Sequence, residues 1–250
     1  MAINVNTVYT TVLSILNKEQ RGYITPEEFN KLGTQVQLEI FENYFEDLNQ
    51  QLRVPQTNSE YANRQKNIDS AISIFKTIGN TTYDVAGGYF LPPADLHRIG
   101  TVIYKDEKQL QLVQRNDFLN INLSPLTKPT TQFPIYLYEQ TIQGTNGANT
   151  GETHIFVKPT TINTAADITV SYIRKPADVV WGFQQLGGGT WTSGPYIYNS
   201  ATSTQFEIDN TEQTEVILRI LAYAGVVIRD PQIVQAASQA VQAEEVNSKS

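Results

Sequence analysis

Ile168-Thr169-Val170-Ser171-Tyr172-Ile173-Arg174-Lys175-Pro176 and Phe133-Pro134-Ile135-Tyr136-Leu137-Tyr138 decide the fold of this chain. In the first, Ile168, Val170 and Tyr172 fall on one face and Thr169, Ser171 and Ile173 on the other, the period-two pattern of a half-buried strand. Proline-punctuated phrases of the same kind fill the stretch from Tyr89 to Pro176: Leu91-Pro92-Pro93, Arg98 to Tyr104, Leu110 to Val113, and Ile155-Phe156-Val157-Lys158-Pro159. Arg115 to Asn120 reads as a short helical turn. Gln143 to Thr153, with Asn146-Gly147, reads as a long turn joining two antiparallel strands.

Outside this stretch the period changes from two to three and four. A first helix is expected from Thr7 to Asn17, with Val8, Val12, Ile15 and Leu16 on one stripe. Thr25-Pro26-Glu27-Glu28 opens a second: Thr25 caps it, Pro26 takes the first position and Glu28 closes a capping box. Its stripe of Phe29, Leu32, Val36, Ile40, Tyr44, Leu48 and Leu52 extends toward Arg53. A third is expected from Ser59 to Lys76, with Gly79-Asn80 closing the block. After a Gly-rich aromatic stretch, Asp209, Asn210 or Thr211 caps a buried helix carrying Val216, Ile217, Ile220, Leu221, Ala224, Val227 and Ile228. Asp230-Pro231 starts a last helix with a thin stripe of small residues.

The expected fold is therefore α+β, a helical bundle from N- and C-terminal segments with an inserted antiparallel β domain, sandwich or barrel-like. Residues 1–80 form the first part of the bundle and 81–180 the β domain. Residues 181–208 form a Gly/aromatic hairpin or arm, and 209–250 complete the bundle with a C-terminal docking helix.

Composition narrows the function classes. The chain has 250 residues, 17% of them charged, and a formal net charge of −7. Asn, Gln and Thr supply polarity without supplying a nucleophile or base. Gripping a nucleic-acid backbone requires clustered Lys and Arg, and the nearest approach is Arg174-Lys175. With no cysteine, disulfides, thiolate chemistry and Cys-based metal sites are excluded. Met1 to Asn6 lacks a charged region followed by an apolar one, so a secretory signal is not expected. Val216 to Ile228 is interrupted by Arg219 and too short to span a bilayer. The expectation is a soluble protein made without export.

No motif adds up to a catalytic constellation. Asn17 to Glu28 imitates a calcium loop, but Asn17 opens it and Arg21 stands where an oxygen donor belongs, so a helix–turn–helix corner fits better. His97 and His154 are isolated in the β region and read as surface or strand-edge residues. Gly187-Gly188-Gly189 lacks the ending of a phosphate loop. Adjacent carboxylates such as Glu27/Glu28 and Glu46/Asp47 do not face each other on a helix. No cofactor and no enzymatic activity are expected. Trp181, Trp191, Tyr196 and Tyr198 are candidate inter-subunit aromatic contacts.

In order along the chain, Leu91-Pro92-Pro93-Ala94-Asp95-Leu96-His97-Arg98-Ile99, Arg115-Asn116-Asp117-Phe118-Leu119, Ser124-Pro125-Leu126-Thr127-Lys128-Pro129, Phe133-Pro134-Ile135-Tyr136 and Tyr172-Ile173-Arg174-Lys175-Pro176 resemble tailed-phage structural proteins. With the closing Glu215 to Val241, the chain looks like a head–tail connector (adaptor or neck ring) protein of podovirus-like or crAss-like phages. The resemblance implies a virion ring, usually of twelve copies, set between the portal protein and downstream tail or neck proteins. DNA would pass through its lumen without sequence-specific binding, and no membrane would be involved. Val234, Ala237, Val241, Glu244 and Glu245 are the candidate residues for docking on the portal or a neighbour. The alternative reading is a carbohydrate- or receptor-binding virion protein using its aromatic β domain.

Overall fold

A computed structural model describes residues 2–18, 23–53, 59–140, 153–185, 196–228 and 235–243. The chain divides into two compact units, one of residues 1–74 with 176–250 and one of residues 75–175. In chain order the first unit opens with β1 (Ala2–Ile3), α1 (Val5–Lys18), α2 (Pro26–Arg53) and α3 (Ser59–Ser73). The inserted unit holds β2 (Lys76–Asn80), β3 (Thr82–Asp84), β4 (Tyr89–Leu91), β5 (Leu96–Tyr104), β6 (Lys108–Gln109) and β7 (Gln111–Leu112). It continues with α4 (Arg115–Leu123), β8 (Ile135–Gln140), β9 (Thr153–Lys158) and β10 (Ile168–Arg174). The first unit then resumes with β11 (Phe183–Gln185), β12 (Tyr196–Tyr198), β13 (Phe206–Asp209), α5 (Gln213–Ile228) and a helix α6 over 235–243. The fold is α+β with an inserted sheet unit.

In the first unit, α1 begins two residues earlier than expected because Asn4, not a later residue, is its cap. The Asn4 Oδ1 accepts from the backbone N–H groups of Asn6 at 2.9 Å and Thr7 at 3.1 Å. The capping box of α2 is present: the Glu28 carboxylate accepts from Thr25 N at 2.9 Å, and Glu28 N donates to Thr25 Oγ1 at 3.3 Å. That carboxylate is spent on the cap, and the hydrogen bonds it accepts from Thr25 N and Thr25 Oγ1 hold its pKa down. Phe29, Val36, Ile40, Phe41, Tyr44 and Phe45 of α2 are buried, as are Val216, Ile220, Leu221 and Ala224 of α5. Helix α2 packs against α3 and α5, and α1 packs against α5. β1 pairs antiparallel with β13, joining the start of the chain to its late segment.

A ladder of polar side chains fastens α2 to the segment that returns from the insert. Asn30, Thr34 and Gln37 recur at four- and three-residue spacing, so they form one stripe. Trp181 N donates to Asn30 Oδ1 at 2.7 Å, and Val179 N donates to Thr34 Oγ1 at 3.0 Å. Gln37 Nε2 donates to the Ala177 carbonyl at 2.7 Å while Gln37 Oε1 accepts from Glu207 N at 2.8 Å. Residues 177, 179 and 181 thus find their partners on the helix. Val180, facing the other way, bridges Thr204 instead. At Gly33, in the middle of the stripe, a Cβ would stand 3.3 Å from Phe206 Cζ and 3.5 Å from Val179 Cγ1, so glycine sets how closely the segment approaches.

The inserted unit is a two-sheet sandwich. One sheet has the order β2-β10-β5-β6 and the other β3-β4-β9-β8-β7. Their facing side chains, among them Phe90, Val102, Tyr136, Ile155, Val157, Ile168, Val170 and Tyr172, form one buried core. The chain crosses between the sheets four times, at two of them through a single-residue corner. At Thr81, both N and Oγ1 donate to the Ile168 carbonyl, at 3.3 and 3.1 Å. At buried Leu110, N donates to the Val102 carbonyl at 2.9 Å and the next residue, Gln111, donates to the Pro134 carbonyl at 3.2 Å. One pair departs from the expected antiparallel arrangement: β7 runs parallel to β8. Gly100 is the extra residue of a bulge in β5, where Ser171 faces Thr101 and Tyr172 faces Ile99. A Cβ there would lie 2.8 Å from the Ser171 carbonyl oxygen.

Residues 76–80 correct the sequence reading. They were expected to end the third helix and the helical block. The helix instead stops at Ser73, and Lys76–Asn80 pairs with β10 along its free edge. Two β-branched residues, Thr77 and Ile78, favour that outcome. Gly79 is a packing position, since a Cβ would fall 3.0 Å from the Tyr172 ring and from Pro93. Residues 206–208, expected in an arm, belong to β13 beneath α2.

Gln37 is 1% exposed. Replacing it by alanine leaves a carbonyl and an N–H without their partner, so Gln37→Ala should lower unfolding stability by about 2–3 kcal/mol. The exposed Gln35→Ala should fall within about 0.5 kcal/mol of the parent. Urea midpoints followed by circular dichroism measure both; equal midpoints would contradict the clamp.

Candidate functional site

Trp181, a candidate inter-subunit contact, is 4% exposed and belongs to the core of its own unit. Its indole Nε1 donates to Asn6 Oδ1 at 3.0 Å, and its ring centroid lies 4.5 Å from that of Tyr9. Tyr9 in turn packs on Phe29 and donates its hydroxyl to the Ile24 carbonyl at 3.2 Å. The clamp from Asn30 explains the burial, because it draws the Trp181 backbone onto α2. Outward from Trp181 the rings of Phe183 and Tyr198 follow at 6.1 and 5.7 Å. Tyr196 sits edge-on against Phe183 at the exposed end of the β11–β12 hairpin. The structure therefore brings Trp181, Tyr196 and Tyr198 into one aromatic row, of which only the hairpin end meets solvent. Trp191 lies outside the described residues.

The candidate docking stripe divides in a similar way. Ala237 of α6 is 5% exposed, so its methyl is already covered by this chain. Val241 is half-buried. Val234, Glu244 and Glu245 lie outside the described residues.

His154 is neither at the surface nor at an edge. It sits on β9, the middle strand of the five-stranded sheet, buried, with its ring centroid 4.0 Å from that of Tyr89. His97 is on β5 in the other sheet. No group of three or more His, Asp or Glu side chains is placed to hold a metal ion among the described residues.

Glu39 of α2, Glu215 of α5 and Glu212 just before α5 are committed to structural partners. Tyr44 donates its hydroxyl to Glu212, and Tyr223 donates to Glu39. Arg219 pairs with Glu215 one turn away at 2.7 Å and approaches Glu39 at 3.8 Å. Burial, and then the adjacent Glu212 charge, push the Tyr44 phenol far above its ordinary pKa. The hydrogen bond to Glu39, followed by burial, raises that of Tyr223. This is a polar seam between two helices, with every charge answered by a neighbour.

The feature that sequence reading missed is apolar and exposed. Helix α4 packs Phe118 and Ile121 on the outer face of the five-stranded sheet, against Ile135, Leu137 and Phe156. Its opposite face presents Leu119 and Leu123, one turn apart. Beyond the helix, Leu126 is 97% exposed and Phe133 81% exposed. Between them the loop is pinned. Pro129 and Pro134 are buried, Lys128 N donates to the Ser124 carbonyl at 3.0 Å, and Thr127 Oγ1 donates to the Ile121 carbonyl at 3.3 Å. Leu112 on the edge strand β7 is more than half exposed as well. A readable signal was present: Phe118, Leu119, Ile121 and Leu123 place more apolar residues on a nine-residue helix than one buried face can take.

In the inserted unit, burial and then the hydrogen bond to Asp95 push the Tyr172 phenol up to about 12. The folded chain therefore keeps this proton where the unfolded chain has lost it. The stabilisation is complete below about pH 10, the ordinary tyrosine value, and is lost as pH rises through the folded pKa. Urea midpoints should fall steeply above that pH, and Tyr172→Phe should fall less steeply over the same range. Parallel slopes would show that this phenol does not contribute. No protein-family model matches this chain, and no significant match to a curated protein is found.

Proposed function

We propose that this protein is a structural component of a phage virion, a head–tail connector whose copies form a ring, twelve in number, between the portal vertex and the tail. The observation that carries the reading is the chain's organisation. One helical unit is made from both ends of the chain, and a β sandwich is inserted between them at residues 75–175. The connector family that the chain resembles is built the same way, with a helical bundle from both chain ends carrying an inserted β domain. The ring works by association and docking, not by catalysis.

Charge is consistent with the role. Twelve copies at −7 each carry about −84, and an acidic wall repels the DNA backbone, letting it slide through a lumen instead of binding. No described helix is long and apolar enough to cross a membrane, which fits a particle assembled in the host cytoplasm.

Electron microscopy of the full chain mixed with the portal protein of the same phage tests the proposal. A twelve-fold ring seated on the portal is the expected result. A chain that stays single and does not bind the portal would overturn it.

A further inference from the structure

Exposed apolar side chains scattered singly need no explanation, but those of residues 112–133 are gathered on one pinned stretch of the inserted unit. Leu112 and Leu119 are 58% and 57% exposed, Leu123 and Phe133 are each 81%, and Leu126 is 97%. Taking about 200 Å² for each large side chain, they present about 750 Å². One partner in a standard-sized stable interface contributes about 800 Å². Summed over the five side chains, the exposed apolar area is comparable to one half of an interface.

Its charge indicates the occupant. Residues 112–133 include only Arg115, Asp117 and Lys128 as charged groups, and Arg115 is already bound to Glu139 of the same chain. A strongly charged partner would find almost nothing here to recognise it. Two copies of this chain, each at −7, repel one another wherever charge is dense, and associate most readily through a face where it is sparse. The hydrogen bonds and buried prolines that pin the loop also mean that little ordering is needed on contact.

We propose that the surface formed by α4 and the loop to Phe133 is where a second copy of this chain docks. The inference rests on the ring reading and names one of the two surfaces through which each copy meets its neighbours in a ring. Sedimentation and mass photometry of the full chain at micromolar concentration test it, with the double variant Leu126→Ser/Phe133→Ser beside the parent. Both side chains point to solvent, so the circular dichroism spectrum and melting temperature should be unchanged while self-association weakens at least tenfold. Val85→Ser, an exposed position on a different edge, should leave association as it is. Because the chain has no cysteine, Leu126→Cys can also be labelled with a bulky maleimide after folding, and the label should have the same effect. A parent chain that stays monomeric, or an oligomer that both the double variant and the label leave intact, overturns the proposal. A ring that persists on the portal in the double variant would leave the connector reading standing and sink this one. A two-copy species that dissolves in the variant, with no ring on the portal, would do the reverse.

Discussion

The stripe Asn30, Thr34, Gln37 is the constraint on which the helical unit depends. Seven residues of helix advance about 10 Å, and four residues of extended chain advance about 13 Å. A helix can therefore serve alternate residues of a strand only if its side chains make up the difference. Asn30 reaches Trp181, Thr34 reaches Val179, and the longer Gln37 spans both Ala177 and Glu207. Buried backbone groups must be paired, and here amides and a hydroxyl replace a neighbouring strand. The consequences run outward from that contact. Trp181 is drawn onto Tyr9, Phe206 seats over Gly33, and β13 is positioned to receive β1.

A second constraint governs the insert. Its first and last strands, β2 and β10, are antiparallel neighbours, and the Phe75 carbonyl accepts from Arg174 N at 2.9 Å. The insert thus begins and ends at the same place, so it interrupts the helical unit without holding its two halves apart. Asp95 reinforces the closure, taking the Tyr172 hydroxyl at 2.8 Å on its side chain and Lys175 N at 2.7 Å on its carbonyl. The sandwich between these ends holds no disulfide, since the chain has no cysteine. Two faces of β8 are used at once, Tyr136 toward the other sheet and Ile135 and Leu137 toward α4.

Periodicity made much of this legible. The capping box of α2, its run as far as Arg53, the strand around Val170 and the helix after Asp209 all follow from local pattern, because capping residues and the spacing of apolar side chains are written in neighbouring residues. What pattern did not convey was long-range pairing. Lys76–Asn80 continues a helical stretch when read alone and becomes a strand only because β10 has an open edge beside it. Trp181 looked like a contact residue because nothing adjacent to it marks Asn6 and Asn30, more than a hundred residues away, as its partners. His154 looked peripheral for the same reason, since the Tyr89 ring that covers it comes from elsewhere in the chain.

The unusual composition acquires a physical meaning from these contacts. On composition alone, a chain with only 17% charged residues and abundant Asn, Gln and Thr reads as merely polar. In the folded molecule those side chains are structural donors and acceptors: Asn4 caps a helix, Asn6 holds an indole, Gln205 accepts from Val5 N, and Thr81 turns a corner between sheets. Uncharged partners suit this work, because a buried amide needs hydrogen bonds but carries no Born penalty. The same economy of charge leaves the outer face of α4 nearly neutral. Leucine and phenylalanine there are not screened by a fence of Lys and Glu, the usual way a surface is kept from meeting its own kind. Amides fasten the chain internally, while on α4 and the loop beyond it large apolar side chains stand in solvent with few charges among them.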